Sequence, residues 1–263
     1  EAADGFYLLR RSLQGTAVDG YLRGCRVTLV APPWAWDVPS DGGGGRDQSG
    51  DAFTDSHGRF RLATSRGRGT LVVSPGATCV DSATDLAARL PLAAPDWAAV
   101  VTPLTTVGLA AMAHFQMEGA AANLCLQRTF LLGRGYNAFA DNPLRSSLDP
   151  GTPQRRALAV INCVQNVFAV ASALWYDGRA QGSRVPSLQW TARALVAHQE
   201  DAACGAEALQ LSDRGALQAV LLEALALGQL GAGRRPAAAL VRAAAELLAS
   251  MNALIEVIER SGS

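Results

Sequence analysis

The sequence contains no lysine: all 23 of its basic residues are arginine, set against 23 acidic residues for a formal net charge of +0 at pH 7. Without a basic run there is no electrostatic footprint for nucleic acid, which needs cations clustered on one face. Charged residues make up only 17% of the chain and hydrophobic ones 49%, so the composition excludes a disordered polyampholyte. The five cysteines (Cys25, Cys79, Cys125, Cys163, Cys204) form no CxxC pair, and His57, His114 and His198 are dispersed, which leaves a zinc site without support. No GxSxG elbow, HExxH pair or Walker loop appears, and no Cys and His stand in a protease context. The glycines from Gly42 to Gly45 have no following GK[ST] and read as loop. Asn-x-Ser/Thr is also absent, so N-linked glycosylation is not expected. The expectation is a protein that is not an enzyme and carries no cofactor.

What is present is alanine, at about 49 positions, with 26 glycines. An Arg-, Ala- and Gly-rich chain without lysine is first of all the product of a GC-rich genome. Its 263 residues suffice for one large domain or two of ordinary size. The chain opens at Glu1 with neither methionine nor a charged-then-apolar leader, so a processed form or a fragment is expected. Five thiols leave at least one unpaired within the chain. Their number and scatter favour an oxidised, extracytoplasmic protein over one with buried free thiols, and leave the pairing open.

Two uncharged runs are long enough to test as membrane spans. The stretch from Trp97 to Met117 is broken at Thr102-Pro103, a helix start. The second, Ala157 to Tyr176, is interrupted by Asn162, Gln165, Asn166 and Ser172, and Asn162, Asn166, Ala169 and Ala173 recur at helical spacing. A buried bundle helix is the reading, and no membrane span is expected.

The sequence changes character near residue 95. Before it, short alternating runs are separated by Gly, Asp and Pro turns. Residues Tyr21 to Val30 read as a strand with Cys25, Val27 and Leu29 on one face, after a turn-rich stretch from Gly15 to Gly20. Asp55 to Leu62 reads as a tight turn, with Gly58 at positive φ, entering a strand that aims Phe60 and Leu62 one way. Thr70 to Ser74 is a further strand, and the set suggests a small β-sandwich. After residue 95, Thr102-Pro103 and Thr152-Pro153 each pair an N-cap with proline at the first helical position. Helices are predicted from Pro103 to about Met117, Ala120 to Leu132, Pro153 to about Tyr176, Ser187 to Glu200, Asp213 to Gln229 and Pro236 to Arg260. In the last, Leu240, Ala244, Leu247, Met251, Leu254 and Ile258 are spaced four, three, four, three, four, a seam that fits packing in an antiparallel bundle or against another subunit. The predicted fold class is therefore α+β, with a small β-sandwich over residues 1–95 including an N-terminal extension, and an α-helical bundle over residues 96–263.

Three elements, in order, carry a family resemblance: Asp19-Gly20-Tyr21 before the first strand, then Thr54-Asp55-Ser56-His57-Gly58-Arg59-Phe60, then Pro103-Leu104-Thr105-Thr106. Over roughly residues 14 to 118 the chain resembles a module of secreted surface proteins, found in bacterial adhesin-like proteins and in green-algal extracellular, mastigoneme-like proteins. The resemblance implies an Ig-like, carboxypeptidase-regulatory-like β-sandwich leading into a P-L-T-T helical region. It also implies a disulfide between Cys25 and Cys79, near which algal-looking relatives place cysteines. Bacterial relatives often follow the first strand with a compact loop suited to calcium. Here Asp37, Asp41, Asp47 and Asp51 are the weak calcium candidates, at a spacing that misses the EF-hand rule.

Trp34 and Trp36, two apart and flanked by Pro32, Pro33 and Pro39, lie on one face of an extended stretch and read either as an aromatic platform or as a cap on the sandwich end. Phe6 and Tyr7 belong to an apolar segment that pairs with a neighbour's sheet edge or completes its own sheet. The expectation for function is a secreted, extracellular or cell-surface structural protein, a subunit of a fibre, cell coat or flagellar-hair-like assembly. Its partners would be copies of itself or other extracellular structural proteins. The alternative is an adhesin module that recognises glycans or Pro-rich glycoproteins through exposed tryptophans.

Overall fold

The structure, a computed structural model, describes residues 11–30, 51–64, 68–145, 149, 151–175, 185–197, 208–228 and 237–261. These residues form a mixed α+β fold. In chain order the strands are β1 (Arg11–Ala17), β2 (Leu22–Arg23), β3 (Arg26–Val30), β4 (Ala52–Phe53), β5 (Arg59–Thr64), β6 (Thr70–Ser74), β7 (Val80–Asp81), β8 (Leu92–Pro95) and β9 (Val100–Val101). The helices that follow are α1 (Pro103–Phe115), α2 (Gly119–Thr129), α3 (Pro153–Trp175), α4 (Val185–Ala197), α5 (Arg214–Gly228) and α6 (Ala238–Ser261). Three small sheets result, with strand orders β5-β1-β9, β2-β7 and β4-β3-β6-β8.

Alternation decides the faces. In β5, Phe60, Leu62 and Thr64 are buried while Arg59, Arg61 and Ala63 are exposed, and in β3 Val27 and Leu29 point into the same core. β3 and β8 pair both edges of β6, and its side chains are buried consecutively along Thr70–Val73, so both of its faces are covered. The predicted strand from Tyr21 to Val30 is divided in two at Gly24, whose φ of 66° lets the backbone pass the Thr78 carbonyl; a Cβ there would lie 2.4 Å from that oxygen. Gly58 takes its predicted positive φ, at 69°.

One element departs from the sequence reading. Gly15 lies inside β1, opposite Phe60, and not in a turn. A Cβ on Gly15 would sit 2.7 Å from Phe60 Cζ, so the glycine serves to admit an aromatic ring and not to bend the chain.

The strand-to-helix junction is held by three buried threonines. Thr102 is the N-cap of α1: its hydroxyl accepts from the Thr105 amide (3.1 Å), and its own amide donates to the Thr105 hydroxyl (2.8 Å). The Thr105 hydroxyl reaches the Ala93 carbonyl (2.9 Å), while the Thr106 hydroxyl accepts from the Ala93 amide (2.9 Å). β8 has a strand neighbour on one side only, and α1 side chains satisfy its other edge. The second Thr-Pro pair works the same way: the Thr152 hydroxyl accepts from the Arg155 amide (3.3 Å) at the start of α3.

Cys25 and Cys79 form a disulfide across 54 positions of sequence. Cys125 is disulfide-bonded as well, and Cys163 is a buried free thiol. In α3 three members of the small and polar stripe, Asn162, Ala169 and Ala173, are exposed and Asn166 is half-buried, while Ile161, Val164, Val167 and Phe168 are buried. Two helices are long and apolar enough to cross a membrane, Pro153–Leu174 with mean hydropathy 1.8 and Ala238–Ser261 with 1.5. They differ in cover: 61% of the first helix's apolar window is buried against 28% of the second's.

Candidate interaction surfaces

α6 is apolar on two sides. Val241, Ala245, Leu248 and Asn252 are buried against the other helices. The seam anticipated from spacing lies one residue away, about 100° around the helix, and points outward. Leu247 is 57% exposed, Leu254 61%, and Leu240, Met251 and Ile258 are exposed too, with Ala244 half-buried. The seam is thus not bundle core. On its outer flank stand Ala243, Ser250 and Val257, so the stripe carries no charge for some 27 Å, about 1.5 Å per residue from Leu240 to Ile258.

Polar contacts on the inner side set this rotation. Asn252 is fully buried; its Nδ2 donates to the Leu211 carbonyl (2.7 Å), and its Oδ1 accepts from Asn166 of α3 (3.1 Å). Ser212 donates to Glu256 (3.1 Å), Arg155 donates to the Ile258 carbonyl (2.6 Å), and Arg156 pairs with Glu259 (3.6 Å). Rolling α6 to bury its heptad seam would break these contacts and strand the buried Asn252 amide, at about 1–3 kcal/mol for a polar group left buried without a partner.

A second feature is a cleft of about 590 Å³ where the sheets meet the start of the helical region. Trp97, 49% exposed, stands on its wall. Phe139 holds the indole from one side, with ring centroids 5.0 Å apart, and Gly119 leaves room for its benzo edge, since a Cβ there would lie 2.4 Å from Trp97 Cη2. Arg11, which donates to the buried Asp96 (2.9 Å), Arg68, Met117 and Glu118 complete the lining. In the sequence Trp97 stands out only as the start of an uncharged run; its place directly after Pro95-Asp96, between strand and helix, is the signal available there.

Of the residues anticipated as functional, Phe6, Tyr7, Trp34, Trp36, Asp37, Asp41 and Asp47 lie outside the described residues. Asp51 is described and is ion-paired with Arg26 at 2.8 Å. No group of three or more His, Cys, Asp or Glu able to hold a metal occurs among the described residues. Cys25 and Cys79 are joined as the resemblance implies.

The two motif aspartates serve their turns. Asp55 Oδ1 accepts from the amides of His57 (2.8 Å) and Arg59 (2.9 Å), and Oδ2 accepts from Arg59 Nε (2.8 Å). A small burial penalty is outweighed by these bonds, and its carboxyl titrates below the usual range. Asp19 opens the turn closed by the Val18–Tyr21 bridge, with Gly20 at φ 71°. Burial, and then the nearby Asp81 carboxylate, push Asp19 up to about 7. No protein-family model, curated protein or solved structure matches the chain.

Proposed function

We propose that this chain is a non-enzymatic, secreted structural subunit that joins an extracellular fibre, cell coat or flagellar-hair-like assembly through contacts between copies of itself. In this reading the N-terminal sheets are the Ig-like, carboxypeptidase-regulatory-like sandwich of the surface-protein module, over residues 1–95, and residues 96–263 are its helical bundle. The observation that carries it is the uncharged heptad face of α6, exposed along the helix. A 3.5-residue repeat is the periodicity of one helix packed along another, and lipid imposes no such repeat. The stripe offers on the order of 500 Å² per copy, at the upper end for a monomer. Two copies together bury about 1,000 Å², the threshold of a specific interface. The stripe itself carries no charge, so two identical stripes meet without repulsion along it. The disulfides are compatible with an extracellular location.

A two-fold contact through α6 closes at two subunits, so a fibre needs a second, heterologous contact. The segment with Phe6 and Tyr7 is our proposed source of it. The test is sedimentation of the full chain over a wide concentration range, with negative-stain microscopy. Dimers or larger particles that Leu247→Glu/Leu254→Glu reduces are expected. A strictly monomeric protein at high concentration overturns the reading, and flotation with lipid vesicles in place of self-association would assign α6 to a membrane. A second reading, a glycan-binding module, is favoured by the half-exposed Trp97 in its cleft.

A further inference from the structure

The cleft beside Trp97 has the chemistry of a carbohydrate site, and we propose that it binds a neutral sugar ring of a glycan. This inference rests on the second reading above and is independent of assembly through α6. The volume, about 590 Å³, falls in the range of small-ligand sites, which gather where structural units meet. Here the cleft joins the start of β1 and the end of β8 to the α1–α2 junction.

A pyranose presents two kinds of surface: patches of C–H groups and a rim of hydroxyls that both donate and accept. The cleft supplies a partner for each. Trp97 offers a broad apolar ring that is half in solvent yet fixed by Phe139 and by the missing side chain of Gly119. An aromatic surface held in place loses little entropy on stacking, and Met117 widens the apolar wall. Around it Arg11 and Arg68 donate, while Asp96 and Glu118 accept.

The charges argue for a neutral ligand over an acidic one. Two guanidinium groups and two carboxylates line the cleft, and Arg11 is already engaged with Asp96 at 2.9 Å. An anion would gain from the arginines and lose against Glu118, whereas hydroxyls bond to either sign.

The test presents the full chain with immobilised neutral oligosaccharides, uronic-acid oligosaccharides and a proline-rich peptide. Binding to one or more neutral sugars is expected. Trp97→Ala should weaken it by about tenfold or more, equivalent to about 1.4 kcal/mol. Trp97→Phe should restore part of the loss, and Glu118→Gln should weaken binding without altering the thermal midpoint. Because Trp97 also packs on Phe139, the circular dichroism of each variant is compared with that of the native chain; a Trp97→Ala chain that fails to fold leaves the exposed Glu118→Gln and Arg68→Ala variants to decide. The proposal is overturned if no neutral sugar binds, if binding ignores Trp97, Glu118 and Arg68, or if only the uronates or the peptide are retained. An assembling protein that binds no sugar would sink this inference and leave the structural reading intact.

Discussion

The Thr106 hydroxyl bonds one backbone unit of the sheet: it accepts from the Ala93 amide at 2.9 Å, and its single hydrogen lies between the carbonyls of Thr102 (3.0 Å) and Ala93 (3.1 Å). With Thr105, whose hydroxyl also reaches the Ala93 carbonyl at 2.9 Å, it does at the edge of β8 what a further strand would do. Thr106 is fully buried, so its loss exposes the edge to nothing that could replace it. Thr106→Val should destabilise the protein by about 1–3 kcal/mol, the cost of an unpaired buried donor. Thr106→Ser should recover most of the stability, read from urea midpoints.

The Cys25–Cys79 bridge closes a loop of 54 positions. Chain entropy puts its contribution at about 4 kcal/mol, with about 2–4 realised in practice. The double variant Cys25→Ser/Cys79→Ser should show that loss in denaturant titration. The free thiol of Cys163 should behave oppositely to an exposed one. Burial first, and then Glu256, push it up to about 12 against the opposing pull of Arg156, so alkylation at pH 8 should require unfolding. Mass spectrometry of native and denatured samples checks this.

Asn252 should be worth more than an apolar residue in its place. Asn252→Leu fits the surrounding chemistry of α6 but leaves the Leu211 carbonyl and Asn166 without their partner. A loss of about 1–3 kcal/mol is expected. Altered solvent protection of Leu247 and Leu254, read by hydrogen exchange along α6, should accompany it, because the helix loses what holds its rotation.

Asp19 gives stability a pH dependence of unusual sign for a carboxylate. Its folded value, about 7, lies above the ordinary 3.8, so between those values the folded state binds more protons than the unfolded one. Stability from this group is therefore fully present below about 4 and is lost as pH rises through about 7. Asp19→Asn should remove that loss and stabilise the protein at pH 8 relative to the native chain, on the order of a few kcal/mol. The gain should shrink at pH 5. Urea midpoints of both proteins at the two pH values measure it.

Much of the fold was legible because local chemistry decides it. Thr102-Pro103 and Thr152-Pro153 begin helices wherever they stand, since the cap and the fixed proline φ act within one turn. The alternation of Phe60 and Leu62 with Arg59 and Arg61 admits only one face inward. β1 was hidden because Gly15 has turn-like chemistry, and its place in a strand depends on Phe60, which follows it by 45 positions. The Trp97 cleft was hidden for the same reason: Arg11, Asp96 and Gly119 meet only after folding.

The sequence by itself determined the class of the chain, the starts of its helices and the 4-3-4-3-4 seam of α6. Which side of α6 that seam would occupy was decided only by the tertiary structure. A helix apolar on two faces has two rotations of similar hydrophobic gain, and periodicity alone cannot choose between them. The choice rests on buried polar groups contributed by α3 and by the segment before α5, chiefly Asn166 and the Leu211 carbonyl on Asn252, which bond in one rotation and are stranded in the other.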